Sequence, residues 1–386
     1  MNKPIGLYIH IPFCEKKCHY CDFLTFTDSD DKIDEYISYL IKEIKLYKDE
    51  DISLDTIYIG GGTPSYISEK HIEEILNTVK ETFEISDDCE ITIEMNPESV
   101  TRKKISSYLK NGINRYSMGV QSFNNQVLRI MGRLHRKDLV LDNIKLMREL
   151  GCKNISIDLM LANPKQSLDI LKEDLDIAIN LDIDHISYYS LILKEKTHFD
   201  IWVDEGKIEL FTPEEEREMY HIVTHTLKNN GFNQYEISSF AKKGFESRHN
   251  KKYWNLEDYI GIGMGAASNI GLKRYTNTRK FEEYFEMIEN TQKPISEIEE
   301  LSSEIREKEY ILLKLRMTMG FDIEEINRIF NIDFMEKYKD IIEKYLDMDI
   351  IKFKNNYISF TEKGIDNGNL LFMDIYEKWF IITVKD

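Results

Sequence analysis

The feature that most constrains the fold of this chain is a regular alternation of β-branched runs and amphipathic stretches over its first 230 residues. Runs such as Ile5–Ile11 are typical of buried strands, whereas residues 31–47 carry apolar side chains at helical spacing. Six strand–helix units follow one another, which predicts parallel strands joined by right-handed crossovers. Six units fit an open doubly wound sheet or a partial barrel, and periodicity alone does not distinguish the two. The predicted strands are residues 5–11, 56–59, 90–95, 115–120, 154–160 and 185–191.

Polar side chains stand at the carboxyl ends of several predicted strands, namely Glu94, Gln121 and Asp158. In parallel α/β folds the functional site forms at that end of the sheet. We therefore expect these three side chains to contribute to a single site.

The alternation stops after about residue 230, and the rest of the chain has a different pattern. One more strand is predicted at residues 235–240, and an aromatic and basic stretch with a glycine-rich run follows it. Residues 301–346 carry apolar side chains at helical spacing, and residues 350–360 alternate like a hairpin. Helices followed by a hairpin indicate a small winged-helix-like domain. The predicted division is a barrel at residues 1–240, a linking region at 241–300 and a C-terminal domain at 301–386.

Composition restricts the classes of partner. The 386 residues include 51 Lys and Arg against 69 Asp and Glu, a net charge of −18, which argues against nucleic-acid binding. No apolar run reaches the roughly 20 residues that span a bilayer, so we expect no stable membrane insertion, with peripheral contact left open. The first residues lack a secretory pattern, so we expect a cytoplasmic protein. A monomer and a homodimer are both compatible with the sequence.

Three of the five cysteines lie within eight residues, at Cys14, Cys18 and Cys21, among charged neighbours. Zinc is one candidate occupant, with His19 or His10 as the fourth ligand. A [4Fe–4S] cluster is the other, because three thiolates leave one iron open to chelate an amine and a carboxylate. The CxxxCxxC spacing resembles that of the radical S-adenosylmethionine (SAM) superfamily. The isolated Cys89 and Cys152 are expected to be small buried residues.

Further motifs follow in order along the chain. A glycine turn at Gly60, Gly61 and Gly62 comes after the second predicted strand, where backbone N–H groups can approach a ligand. No Gly-Lys-Ser/Thr follows the turn, so it is not a phosphate-binding P-loop. The set comprises YIHIPFC (8–14), CHYCDF (18–23), IGGGTPS (59–65), IEMNP (93–97), SMGVQSF (117–123), GRLH (132–135) and IDL (157–159).

Together these motifs resemble the family of oxygen-independent coproporphyrinogen III oxidase and its relatives. The resemblance implies a radical SAM partial (β/α)6 TIM-like barrel with a small C-terminal helical, winged-helix-like domain. It also implies that Cys14, Cys18 and Cys21 hold a [4Fe–4S] cluster. The positions that match SAM-binding residues of the oxidase are Tyr8, Gly61, Gly62, Thr63, Glu94, Gln121, Arg133 and Asp158.

Residues 235–241 and 249–254 (HNKKYW) resemble the heme-chaperone branch of this family. The chain also lacks the oxidase's further cysteine after Cys21, which favours the chaperone over the decarboxylase. The resemblance implies bound heme and SAM, a heme-accepting client protein, and an electron donor if SAM is cleaved. The alternative is the oxidase reaction itself, radical SAM decarboxylation of the propionates of coproporphyrinogen III.

The HNKKYW segment suggests how a porphyrin is held. His249 is the expected axial ligand, with Tyr253 and Trp254 as a stacking wall, and Arg248 is the expected partner of porphyrin carboxylates. The sequence also departs from the branch in three places. Ala267 stands where the family commonly has histidine, Ser247 where it often has cysteine, and residues 162–166 replace a Gly-Leu-Pro-Gly-Gln turn.

Overall fold

The computed structural model describes residues 3–376 of the chain. At its centre is a twelve-stranded sheet whose first six strands are neighbours in chain order and are all parallel. Because this order never reverses, the arrangement is that of a partial barrel and not of a doubly wound sheet. The expected (β/α)6 architecture is confirmed. The strands are β1 Ile5–Ile11, β2 Ser53–Gly61, β3 Glu84–Met95, β4 Arg115–Gln121, β5 Ile155–Leu161 and β6 His185–Ser190.

Eight helices accompany these strands. Most begin at a Ser, Thr or Asn whose side chain accepts from the first turn, as Ser68, Thr101 and Asn124 do. The apolar faces of six of these helices share one buried core with the strands, and those of α4 and α7 form a smaller cluster with Met160. The helices are α1 Ile33–Lys45, α2 Glu69–Thr82, α3 Arg102–Lys110, α4 Asn125–Ile130, α5 Lys137–Glu149, α6 Leu168–Asn180, α7 His198–Asp204 and α8 Pro213–Asn229.

The sequence analysis expected residues 241–300 to form a linking region, and the structure corrects this expectation. They extend the main sheet: β9 pairs parallel with β1, and β10 to β12 continue antiparallel. Ile262, Met264 and Tyr284 belong to the barrel's own core. Strands of four to six residues are too short to show a clear alternating pattern, which is why the sequence concealed them. The elements are β7 Asn233–Glu236, β8 Ser239–Ala241, α9 Arg248–Trp254, β9 Tyr259–Ile262, β10 Ala267–Ile270, β11 Lys273–Asn277, α10 Phe281–Glu289 and β12 Ile295–Glu300.

A buried carboxyl group joins this extension to α1. Glu43 accepts hydrogen bonds from Gly263 N at 2.8 Å, from Asn277 Nδ2 at 2.9 Å and from Tyr284 Oη at 2.5 Å. Burial raises the pKa of Glu43 to about 7, although all three donors favour the carboxylate. The carboxyl group of one helix therefore organises a loop, a strand and a second helix.

The C-terminal domain has its own apolar core and a three-stranded sheet in the order β13-β15-β14. Asn355 and Asn356 connect β14 to β15 with φ of 50° and 68°, the left-handed pair that a tight hairpin turn requires. The expected helices and hairpin are confirmed; residues 377–386 of the predicted domain lie outside the described residues. The elements are α11 Ser303–Arg316, β13 Phe321–Asp322, α12 Ile323–Phe330, α13 Phe334–Lys337, α14 Lys339–Asp347, β14 Ile351–Lys354, β15 Tyr357–Phe360 and α15 Glu362–Tyr376.

Main-chain hydrogen bonds fasten the C-terminal domain to the barrel beside β7. Ile237 N donates to Arg316 O at 3.0 Å, and Thr318 N donates to Tyr235 O at 3.1 Å. The end of α11 is thereby held against the barrel, which brings the Arg316 side chain to the central cavity. Among residues 3–376, no helix has the length and apolar character needed to cross a membrane.

Candidate functional site

The loop after β1 carries the three clustered cysteines and lies at the carboxyl end of the strands. Cys14, Cys18 and Cys21 are half-buried free thiols that line one cavity of about 360 Å³. Cys14 Sγ lies 3.3 Å from Thr63 Oγ1, and Cys18 Sγ accepts from Arg133 Nη1 at 3.5 Å. Burial raises the pKa of the Cys14 thiol to about 11. A thiolate at Cys14 therefore needs a positive partner such as iron.

The two histidines considered as zinc ligands point elsewhere. His19 Nδ1 bonds to Ile130 O at 2.7 Å, and its ring packs edge-on against Trp202. His10 uses both ring nitrogens, one on Tyr8 Oη at 2.9 Å and one on Leu24 O at 3.1 Å. Within residues 3–376 no three His, Cys, Asp or Glu side chains lie close enough together to hold a single metal ion.

The glycine turn at the end of β2 fits directly against the cysteine loop. Gly62 N donates to Ile11 O at 2.9 Å and Thr63 N to Phe13 O at 2.8 Å. A Cβ on Gly62 would lie 2.8 Å from Phe13 O and 3.1 Å from Cys14 Sγ, so only glycine allows this approach. The turn and the cysteines therefore form one wall of the cavity.

Two half-buried carboxyl groups, Glu94 of β3 and Asp158 of β5 on either side of β4, face the same cavity. Glu94 accepts from Tyr58 Oη at 2.7 Å and from Gly61 N at 3.1 Å. Ser117 Oγ lies 3.4 Å from both oxygens of Asp158. Burial raises the pKa of both groups, that of Glu94 to about 7, and the nearby Asp158 adds to the effect on Glu94. Such groups suit ligand hydroxyls or an ammonium group.

Arg133 and Gln121 complete the opposite side. Arg133 donates to Asn96 Oδ1 at 2.7 Å and to Gly119 O, while its Nε is buried without a partner among the described residues. Gln121 ends β4 with a φ of 67°, a strained conformation for a non-glycine residue, and accepts from Tyr189 Oη at 2.9 Å. An unpaired guanidinium nitrogen in this wall fits a ligand carboxylate.

The structure thus brings together ten of the predicted residues around one cavity. They are Cys14, Cys18, Cys21, Gly61, Gly62, Thr63, Glu94, Gln121, Arg133 and Asp158. The donor set and the glycine approach fit a cluster bearing SAM. Sequence reasoning gave no role to several further lining residues, because each is an ordinary polar or aromatic side chain, even where it stands inside a quoted motif. These are Asn96, Ser117, Ser187, Tyr189, Glu236, Asn250 and Arg316.

Tyr8 lies in a second, open cleft of about 350 Å³ that meets the first cavity at the exposed Phe23. Its ring is stacked on Tyr58, a residue of the first cavity, at 6.2 Å between centroids. Leu24, Tyr253 and Tyr259 provide apolar and aromatic walls, and Ala267 also lines the cleft. Exposed Arg279 lies at its edge and forms no ion pair with any residue from 3 to 376.

His249 lies at neither cavity surface. It is fully buried, with Nδ1 2.8 Å from Thr56 Oγ1 and Nε2 2.8 Å from Tyr253 Oη. Burial, with the nearby Lys252 charge, lowers the pKa of His249 to about 3, so the ring is neutral. In this conformation both ring nitrogens are engaged and neither is available to iron. The role of His249 as axial ligand therefore stays a prediction, and it requires the side chain to break both hydrogen bonds.

The other residues expected near a porphyrin also have structural partners. Arg248 donates to Asp88 O at 2.6 Å and pairs with the Asp88 carboxylate at 3.1 Å, away from both cavities. The expectation that Arg248 receives porphyrin carboxylates stays a prediction, which requires this side chain to leave Asp88. Ser247 caps α9 by accepting from Asn250 N at 3.3 Å. Trp254 lines the first cavity and stacks under the Arg316 guanidinium, with 4.5 Å between guanidinium carbon and ring centroid.

Comparison with known proteins agrees with this architecture. Residues 8–178 match the radical SAM superfamily, and residues 301–366 match the HemN C-terminal domain. The solved structure of coproporphyrinogen III oxidase (HemN) from Escherichia coli superposes with a TM-score of 0.84 at 22% identity, covering 96% of this chain and 90% of that one. The fold and site therefore define a HemN-like radical SAM protein.

Curated relatives narrow the assignment to one branch. The heme chaperone HemW of Lactococcus lactis (strain IL1403) is 35% identical over 100% of both chains. The heme chaperone HemW of Bacillus subtilis (strain 168) is 37% identical over 95% of this chain and 97% of its own. The chain belongs to the HemW family.

Proposed function

We propose that this protein binds heme in the second cleft, beside a cavity that holds a [4Fe–4S] cluster and SAM, and passes the heme to a client protein in the cytoplasm. Relatives named as heme chaperones support the proposal. The observation that carries it is the adjoining cleft, with aromatic walls at Tyr253 and Tyr259 and an unpaired Arg279 at its edge. A planar porphyrin with carboxylates needs both features.

In the first cavity the chain's own residues would orient SAM. Cys14, Cys18 and Cys21 would hold the cluster, whose open iron supplies chelation of the methionine amine and carboxylate. The unpartnered Arg133 Nε is suited to that carboxylate, and Glu94 and Asp158 are suited to ribose hydroxyls or the amine. Phe23 lines both this cavity and the cleft, so the two sites adjoin.

The first test is anaerobic titration of the reconstituted full-length protein with ferric heme and with heme dimethyl ester, whose propionates carry no charge. We expect the parent to bind heme at least tenfold more tightly than the ester. Arg279→Met should remove most of that preference. The matched control is Arg328→Met, at an exposed arginine of the C-terminal domain. Equal affinities of the parent for heme and ester would contradict the role of Arg279, and no heme-dependent absorbance would contradict the function.

The same preparation tests the alternatives. Stoichiometric iron and acid-labile sulfide are expected, and both should be lost from Cys18→Ala; stoichiometric zinc without sulfide would refute the cluster. With coproporphyrinogen III, SAM and a reductant we expect no protoporphyrinogen, whereas its formation would establish the oxidase reaction instead. Transfer is measured as loss of the heme spectrum on adding an apo-globin as acceptor.

A further inference from the structure

We propose that Tyr253 Oη is the protein ligand to heme iron, and that His249 is a positioning residue that holds and polarises this phenol. The inference rests on the proposed function and refines it by naming the atom that meets the iron. It also gives the HNKKYW segment a role in binding heme iron that does not require the buried His249 to reach the cleft.

Tyr253 and His249 lie four residues apart on α9, so their side chains share one face of the helix. Tyr253 is half-buried and lines the cleft, whereas His249 lies behind it, fully buried. The His249 Nε2 to Tyr253 Oη distance is 2.8 Å, and the rings meet nearly edge-on at 88°. An iron atom in the cleft therefore meets the phenol before it meets the imidazole.

The imidazole is held on every side. Thr56 Oγ1 engages Nδ1, the Tyr58 ring stacks on it at 5.2 Å, and Glu90 accepts from its main-chain N at 3.0 Å. Burial lowers the pKa of His249 and raises that of Tyr253, so the resting pair is a neutral imidazole and a neutral phenol. With Thr56 accepting from Nδ1–H, Nε2 is the hydrogen-bond acceptor for the phenolic proton.

Coordination by tyrosine is a known mode for heme iron in proteins. In the proposed step an electron pair of Tyr253 Oη forms the bond to ferric iron, and the O–H bond breaks. The proton moves to His249 Nε2, so the phenolate and imidazolium together remain neutral. No electron is transferred and the iron stays ferric. Bonding to ferric iron lowers the proton affinity of the phenol, and His249 Nε2, 2.8 Å away, is placed to accept the proton.

One other tyrosine–histidine pair borders the cleft. Tyr8 Oη lies 2.9 Å from His10 Nδ1, but the Tyr8 ring is stacked on Tyr58 at the boundary with the first cavity. Tyr259 also lines the cleft, 4.7 Å from the Tyr253 ring, and its hydroxyl has no hydrogen-bond partner among residues 3–376. Tyr253 has a histidine partner, and its ring contacts His249 and Tyr259, neither of which lines the first cavity. Tyr8 and Tyr259 serve as comparison variants.

The experiment uses ferric heme on the reconstituted full-length protein, followed by absorbance, electron paramagnetic resonance and resonance Raman spectra. We expect the parent to show a high-spin ferric signal, a phenolate-to-iron charge-transfer band and an Fe–O stretch. Tyr253→Phe should lose the band and the stretch and bind heme at least tenfold more weakly. Tyr259→Phe, which removes a hydroxyl from the same cleft, should retain the parent's spectra.

His249 is tested by its effect on the iron–oxygen bond. His249→Leu should keep the charge-transfer band, shift the Fe–O stretch and weaken heme binding, because the phenolate loses its hydrogen-bond partner. His249→Gln should restore part of the shift, since its amide can still bond to the phenolate. A purely structural role would lower affinity without moving the stretch. Iron and sulfide content reports whether each variant is folded.

The outcomes separate the two proposals. If the parent binds no heme, the proposed function fails. If it binds heme but the band persists in Tyr253→Phe, or is lost in Tyr8→Phe instead, heme binding stands and this inference is overturned. A low-spin histidine-type spectrum in the parent that disappears in His249→Leu would likewise overturn it, because His249 would then be the direct ligand.

Discussion

At the scale of single residues, the site depends on close approaches that few side chains allow. Gly62 lies against Cys14, Gln121 has a φ of 67°, and Arg133 leaves one guanidinium nitrogen unpaired. The strained Gln121 and the unpartnered Arg133 donor are unfavourable for the folded protein alone, since both cost stability. Their convergence on one cavity indicates that binding, and not folding, explains them.

Gly62→Ala is expected to remove the cluster while leaving the fold intact. The new Cβ would lie within 3.1 Å of both Phe13 O and Cys14 Sγ, so the cysteine loop must move. Iron and sulfide content should fall to less than half of the parent value, and SAM binding by equilibrium dialysis should fall with it. Gly271→Ala is the control for strain alone: its φ of 57° disfavours alanine, but nothing lies within 4 Å of its Cβ position, so it should keep the cluster. Full cluster content in Gly62→Ala would contradict this account of the turn.

At the scale of elements, α9 closes the amino end of the barrel. Glu90 of β3 accepts from the main-chain N–H groups of Arg248 and His249 at 3.1 and 3.0 Å, which satisfies two free donors at the helix start. Tyr235 Oη accepts from Ser247 N at 3.3 Å and lies 2.8 Å from His185 Nε2, which ties the same turn to β6. The HNKKYW segment is therefore anchored to both sides of the barrel, and this fixes Tyr253 and Trp254.

Glu90→Gln is expected to loosen α9. The amide would present N–H to a backbone donor, so one buried hydrogen bond is lost at a cost of about 1–3 kcal/mol. The free energy of unfolding from denaturant titration should fall by that amount, and heme affinity should fall because Tyr253 loses its support. Glu84→Gln, at an exposed position of the same strand, should change neither quantity. If the Glu90→Gln variant is destabilised but binds heme as tightly as the parent, then α9 does not support the heme site.

At the scale of the whole molecule, one sheet unites segments that the sequence suggested were separate. β9 lies beside β1, so residues 241–300 complete the barrel and do not connect two bodies. The C-terminal domain then contacts this assembled unit, and Arg316 of α11 enters the first cavity. The site is thus built from the barrel, its extension and the C-terminal domain together.

The buried Glu43 should make overall stability depend on pH. Its pKa rises from an ordinary value of 4.5 to about 7 on folding. Between those pH values the folded state binds more protons than the unfolded state, so the free energy of unfolding falls as pH rises. Glu43→Gln lacks this titration. The stability of the parent relative to Glu43→Gln should therefore decline between pH 5 and pH 8, by at most about 3 kcal/mol.

Denaturant titrations of both proteins at pH 5, 6, 7 and 8 measure that difference. Other buried groups, such as Glu94 and Asp174, titrate in both proteins and cancel from it. A constant difference across the range would show that Glu43 does not change its protonation on folding.

The sequence by itself determined the six parallel units and the hairpin-bearing C-terminal domain, and the resemblance of its motifs to a known family implied the ten residues of one cavity. Periodicity and motif spacing act over a few residues, and the carboxyl ends of parallel strands must meet at one edge of the sheet. Only the tertiary structure decided that residues 241–300 belong to the barrel, that Arg248 pairs with Asp88, and that His249 lies behind Tyr253. Those facts depend on which short strands pair and which side chains are buried. Both are set by packing between distant segments, as in the pairing of Gly6 with Tyr259, and local patterns do not encode such contacts.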